Sequence, residues 1–87
     1  MSEVHIASFV AYARPEAADA IERAIAATGI AEVARRDDRG RLVVLVEATT
    51  SGRVLDAMEA IRGLEGVLAV HLAYQHAESE AEMQESP

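Results

Sequence analysis

A four-stranded antiparallel sheet carrying two helices on one face, in the order βαββαβ, is the α+β fold class that three features of this 87-residue sequence predict. Two segments of helical period separate apolar runs whose side chains alternate with period two. Laying Asp19 over Asp56 also superposes Ala20 on Ala57, Glu22 on Glu59, Gly29 on Gly66 and Val33 on Val70, so a βαβ order occurs twice. Between the halves, Asp38-Arg39-Gly40 reads as a hairpin turn with glycine at the left-handed position. Two βαβ halves joined by a hairpin make the split βαβ, or ferredoxin-like, sandwich.

The first strand is expected over Val4 to Ala13, where the chain is almost continuously apolar. Pro15 supplies the usual first residue of a helix, and that helix is expected through Thr28. Ile21, Ile25 and Thr28, with Ala17, Ala18 and Ala24, form its apolar stripe, Glu16 and Asp19 suit the positive end of its dipole, and Gly29 stops it. Residues Ile30 to Asp37 are more polar, which suits an edge strand. Leu42 to Val46 is a run of branched aliphatics, as in a central strand covered on both faces. Thr50 or Ser51 can cap a second helix reaching about Gly63, with Val54, Leu55, Met58 and Ile61 inward. The last strand is expected over Val67 to His76. The domain is therefore assigned to residues 1–76, and residues 77–87, with Glu78, Glu80, Glu82 and Glu85, to an acidic, disordered tail.

Composition narrows the function classes. At 51% hydrophobic and 26% charged the chain is globular, yet aromatics are only 3%, so Ala, Val, Leu and Ile must fill the core. A domain this short buries only about 60% of the surface its unfolded chain exposes, so each strong apolar stretch serves the core or a partner. The net charge of −7, with arginine as the sole strong base, repels phosphate backbones and excludes nucleic acid as an expected partner. It attracts a basic partner instead. No cysteine occurs, so disulfides, thiolate metal sites and cysteine nucleophiles are excluded. Met1-Ser2-Glu3-Val4 has neither a basic leader nor an apolar core of the signal type, and no apolar run reaches the ~18 residues that cross a bilayer, so the expected compartment is the cytoplasm.

No catalytic constellation emerges. His5, His71 and His76 show no metal-ligand spacing, and they read as surface histidines, with His5 and His71 near neighbours if the first and last strands pair. Ser8 and Ser51 lie in no nucleophile elbow, and Ser51 is better explained as a cap. No glycine-rich phosphate loop follows the first strand, which removes an acylphosphatase reading of the fold. Arg35-Arg36 sits at a hairpin, where edge charge discourages strand-to-strand aggregation.

The sheet face without helices is the remaining feature. In the last strand Leu68, Val70 and Leu72 are expected to meet the helices, leaving Ala69, His71, Ala73 and Gln75 open; in the third, Glu47 puts Val43 and Leu45 on the open side. In the first, Ile6 and Val10 are expected in the core, with His5, Ala7, Phe9 and Ala11 open. Phe9, Val43 and Leu45 would then form an exposed apolar patch, the mark of a partner surface or of a homodimer contact.

Ile6-Ala7-Ser8-Phe9-Val10, Gly40-Arg41-Leu42-Val43-Val44-Leu45-Val46-Glu47 and Leu64-Glu65-Gly66-Val67-Leu68-Ala69-Val70-His71-Leu72-Ala73-Tyr74 resemble the NapD family over about residues 4 to 76. The resemblance is most specific in the Glu-Gly-Val-Leu-Ala-Val stretch with Ala-Tyr two residues beyond it. It implies a cytoplasmic chaperone that is not an enzyme and holds no cofactor. Its implied partner is the twin-arginine signal peptide of the periplasmic nitrate reductase catalytic subunit, whose export is delayed while the molybdenum cofactor enters that client.

The peptide site expected under that implication is Ala7, Phe9, Ala11, Val43, Leu45, Glu47, Ala69, His71 and Ala73. The peptide's apolar segment would lie as a helix over Phe9, Val43 and Leu45, with Glu47 or a tail glutamate meeting its arginines. Strand addition along a sheet edge is the competing mode. The chain is similar also, in its βαββαβ order and the Gly-Val opening of its last strand, to the small-molecule-sensing regulatory modules of amino-acid-responsive transcription regulators, which act as oligomers. It carries no DNA-binding domain and no glycine-rich ligand loop to match them.

Overall fold

The computed structural model describes residues 3–79 and has the predicted fold class. Strands β1 (Glu3–Ala13), β2 (Ala31–Arg36), β3 (Arg41–Ala48) and β4 (Val67–Ser79) form one antiparallel sheet in the order β2-β3-β1-β4. Helices α1 (Ala18–Ala27) and α2 (Ser51–Arg62) supply the connections. Ile21 and Ile25 of α1 and Val54, Ala57 and Ile61 of α2 share one core with Ala7, Phe9, Ala11, Ala13, Leu42, Val44, Val46 and Val70. Both helices therefore cover the same sheet face.

The local chemistry explains the element ends. Arg14 is extended and Pro15 opens a short 3-10 turn, Pro15–Ala17, that leads into α1. At the end of α1 the Thr28 hydroxyl donates to the Ile25 carbonyl at 2.8 Å instead of packing in the core, and Gly29 follows with φ of 79°. Thr50 caps α2, its Oγ1 accepting from the Arg53 N–H at 3.1 Å. Leu55 of α2 is exposed rather than inward, and Ala57 takes its place in the core, where the helix approaches the sheet closely.

Two glycines anchor the junction between β1 and α1. Gly40, with φ of 90°, accepts from the Ala13 N–H at 2.8 Å, and any Cβ on it would run into the Ala13 carbonyl. Gly66, with φ of 96°, accepts from the Arg14 N–H at 2.9 Å, and a Cβ there would strike Ala17. The turns of both halves of the fold thus converge on residues 13–17.

The β2–β3 turn is organised by Asp37. Its Oδ1 accepts from the Arg39 and Arg41 N–H groups, each at 3.0 Å, and its Oδ2 accepts from the Arg41 guanidinium at 2.6 Å. These bonds, the Arg41 N–H first and its guanidinium next, hold the Asp37 carboxyl below the ordinary carboxylate range. A depressed folded-state pKa contributes stability that is fully present above the unfolded value of about 4 and is lost as pH falls through the folded value. Asp37→Asn is accordingly expected to flatten the acid limb of stability. Urea midpoints between about pH 5 and 2 would check this, and an unchanged slope would deny the turn that role.

The strand ends and faces depart from expectation in three places. β4 continues to Ser79 because β1 extends far enough to pair with it, Glu3 lying opposite Ser79. Residues 80–87, which hold the rest of the expected tail, lie outside the described residues. β3 is central in the sheet, yet only Leu42, Val44, Val46 and Ala48 are buried, since no layer among the described residues lies over its other face. In β1 the parity is the reverse of that expected: Ala7, Phe9 and Ala11 are fully buried beneath the helices, while Ile6 and Val10 face the open side. His5 shares the helix side and stands 3.5 Å from Glu3, whereas His71 is opposite Val10 on the other face, so these histidines are not neighbours.

The open sheet face as candidate functional site

Register defines the open face row by row. Glu47 of β3 lies beside Ile6 of β1, which lies beside His76 of β4. Next come Glu32 of β2, Leu45, Ser8 and Tyr74, then Arg35, Val43, Val10 and His71, and last Arg41, Tyr12 and Ala69. Ile6, Val10, Val43 and Leu45 form the centre. Leu45 and Tyr12 are each 38% exposed and Tyr74 is 55% exposed, so side chains that usually seek cover stand in solvent here.

Charges flank that centre on the β2–β3 side and are sorted by sign. At one end Glu32 and Glu47 line a shallow groove with Ile6, Ile30 and Leu45. Neither takes part in an ion pair among the described residues. At the other end Arg35, Arg41 and Asp37 line a second groove with Val10, Tyr12 and Val43. The Asp37 carboxylate raises the Arg41 pKa and balances its charge, whereas Arg35 takes part in no ion pair among the described residues.

The adjacent arginines Arg35 and Arg36 have separate roles because a bulge at Ala34 sets their faces. Arg35 is paired with Val43 on the open side, whereas Arg36 is paired with Leu42 and turns toward α1. There its Nη1 meets Asp19 and Glu22, both at 2.8 Å, and these carboxylates raise its pKa, Glu22 most. The bulge also blunts an edge strand against pairing with another chain.

On the opposite flank the face is aromatic. Tyr12 and His71 meet edge to face with centroids 5.6 Å apart, and Tyr74 and His76 lie nearly parallel at 6.1 Å. A second irregularity in β4 arranges this: Leu72 is opposite Phe9 and Tyr74 opposite Ser8, so Ala73 is the extra residue of a bulge. Beyond the bulge the parity inverts. Tyr74 and His76 reach the open face instead of Gln75, and of the three aliphatics expected under the helices only Val70 is buried, Leu68 and Leu72 remaining exposed.

Of the expected site residues, Val43, Leu45, Glu47, Ala69 and His71 share the open face. Ala7, Phe9 and Ala11 do not: they are core residues, and Ala73 is a bulge residue between the two faces. Ile6, Val10, Tyr12, Glu32, Arg35 and Tyr74 were missed. One signal was available in β1, where Ser8 and Tyr12 share parity with Ile6 and Val10 and carry hydroxyls that want solvent or a partner. Among the described residues no group of His, Asp and Glu gathers as a metal site, and no helix is long and apolar enough to cross a membrane.

Residues 4–79 match the family model described as NapD protein. Chaperone NapD of Escherichia coli strain K12 is 37% identical over 78 residues, covering 88% of this chain and 90% of that protein; Chaperone NapD of E. coli O157:H7 and of Shigella flexneri match equally. The solution structure of the E. coli Tat proofreading chaperone protein NapD aligns with a TM-score of 0.73 at 34% identity, over 97% of this chain and 87% of that one. The family match runs from β1 to the end of β4, so it takes in both helices and every row of the open face. With identity at this level across the whole described fold, the chain belongs to the NapD family, whose named members here are chaperones rather than enzymes.

Proposed function

We propose that this protein binds, in the cytoplasm, the twin-arginine signal peptide of the periplasmic nitrate reductase catalytic subunit and delays its export until the cofactor is in place. The observation that carries the reading is an apolar sheet face that no described element covers, with two glutamates at one end that form no ion pair among the described residues, in a chain whose structural relative is named a Tat proofreading chaperone. A signal of this kind is basic and then apolar. Its apolar segment, folded as a helix, covers Ile6, Val10, Val43 and Leu45, and its arginines meet carboxylates in charge-assisted hydrogen bonds. The alternative of a small-molecule sensor rested on strand order and the opening of the last strand, and membership of a chaperone family removes its support.

Calorimetry with the synthetic signal peptide tests the reading. Saturable binding is expected, weakened about tenfold when both arginines become lysine, because lysine cannot make the two-pronged contact of a guanidinium with a carboxylate. Absence of binding, or equal binding of any apolar peptide, would deny this function.

A further inference from the structure

We infer that a second copy of this chain covers the flank formed by the outer edge of β4 and the adjoining side of α2, joining the two sheets antiparallel across a two-fold axis near Leu72. Among the described residues nothing pairs with that edge: β4 ends the sheet, and Leu68, Leu72 and, on α2, Leu55 are 65%, 48% and 56% exposed. Leu72 lies opposite Phe9 and so keeps the helix side of the sheet, where α2 packs against β4. Leu55, Met58 and Arg62 follow at helical spacing, about a quarter turn from the buried Val54, Ala57 and Ile61. Because a crossover between parallel strands such as β3 and β4 is right-handed, that quarter turn faces outward past β4 and away from α1. The leucines of strand and helix therefore share one flank, opposite β2 and distinct from the open face.

Charge and size select the occupant. In a chain of net charge −7, a surface that meets its own copy must be free of like charges, and residues 67–77 contain no Asp, Glu, Lys or Arg. Leu72 is the midpoint of that run, so a two-fold axis there pairs the run wholly with itself. Arg62, the cation on this side of α2, is balanced by Glu59 at 2.8 Å. The other edge is built in the opposite way: β2 carries Glu32, Arg35, Arg36 and a bulge, devices that keep strands from pairing. Although β4 has bulges at Leu68 and Ala73, residues 69–72 and 74–79 pair regularly with β1, so their outward N–H and C=O groups keep the spacing of a ladder. The flank is about 40 Å long, the span of the 13 residues of β4, and the shortest extent of the molecule is 20 Å. A face of that size matches the roughly 800 Å² per partner that a stable complex buries. Both open faces stay uncovered in such a dimer, so each copy keeps its peptide surface.

Sedimentation of the full chain from about 10 µM to about 1 mM tests this. A reversible dimer is expected, and a monomer throughout would overturn the proposal. Leu55→Arg and Leu72→Arg are each expected to weaken the dimer at least about tenfold, since the two-fold axis turns every new charge toward its own copy. Leu55 stands on an exposed helix surface, so its variant keeps the fold and supplies the test even if Leu72→Arg unfolds, with circular dichroism as the check. A dimer that survives a folded arginine variant would overturn the proposal. A dimer lost on Leu45→Asp would overturn it in favour of the open face. Calorimetry of both arginine variants with the synthetic signal peptide should show unchanged affinity and one peptide per chain. A dimer dissolved by saturating peptide would give the β4 edge to the peptide as an added strand, and this too would overturn the proposal. If no peptide binds, the proposed function fails while the sedimentation result still decides the dimer.

Discussion

Phe9→Ala is expected to lower the unfolding free energy by about 3–5 kcal/mol, a large share of the ~5–15 kcal/mol that holds a small domain folded. Phe9 has no exposed surface and sits in the middle of the central strand β1, between Ala7 and Ala11 and under both helices. The alanines on either side let the helices approach, so Phe9 supplies the largest side chain of the core. With few aromatics in the sequence, its loss leaves a cavity that small neighbours cannot fill by changing rotamer. Val10→Ala, one residue along on the open face, should cost about 1 kcal/mol or less. Urea unfolding of the two variants distinguishes the faces. Equal small losses would mean that β1 presents Phe9 to solvent, and the register described above would be wrong.

Leu45→Asp is expected to weaken signal-peptide binding by about a hundredfold while the protein stays folded. A leucine covered by a partner contributes about 1.5–3 kcal/mol, and a carboxylate buried in its place adds a desolvation cost, which together exceed the ~3 kcal/mol of a hundredfold change. Leu45 lies between Glu32 and Ser8, so the new charge also gains no cation of its own in the free protein. Leu55→Asp is the matched control. Leu55 is exposed on α2, which packs against the other side of the sheet, and its replacement should leave affinity unchanged. Circular dichroism secures the fold of both variants and calorimetry reads the binding. Unchanged affinity in Leu45→Asp, with loss of a dimer in sedimentation, would assign the face to self-association instead.

The residues that were hard to read from sequence share a physical cause. β3 offers one apolar parity and one mixed parity ending in Glu47, so its open side with Val43 and Leu45 was legible and is as expected, whereas the run of aliphatics that suggested cover on both faces is covered on one. β1 offers two apolar parities, Ile6 and Val10 on one and Ala7, Phe9 and Ala11 on the other, and period two alone cannot choose between them. The larger aliphatics drew the assignment to the wrong side. Small residues belong under closely packed helices, and this, with the hydroxyls of Ser8 and Tyr12, is the reason the other parity prevails. In β4 the misreading has another origin. Its bulges depend on how β4 meets β1: Leu68 is an inserted residue and stands exposed, and the inserted Ala73 inverts the parity beyond it, turning Tyr74 and His76 to the open side, while Leu72 keeps the helix-side parity opposite Phe9 and is exposed on the edge strand.

From the sequence alone came the βαββαβ order, the repeat that lays Gly29 over Gly66, the Asp38–Gly40 hairpin turn, a hydroxyl cap at Thr50 or Ser51, which the structure places on Thr50, and the open parity of β3. All of these rest on local chemistry: dihedral preference, a hydroxyl near a free N–H, or alternation within one strand. Only the tertiary structure decided which half of β1 is core, where β4 bulges, that Arg35 and Arg36 part to opposite faces, and that Glu32 joins Glu47 at one end of the open surface. Those outcomes depend on pairing between strands distant in the chain, which a period within one strand does not encode.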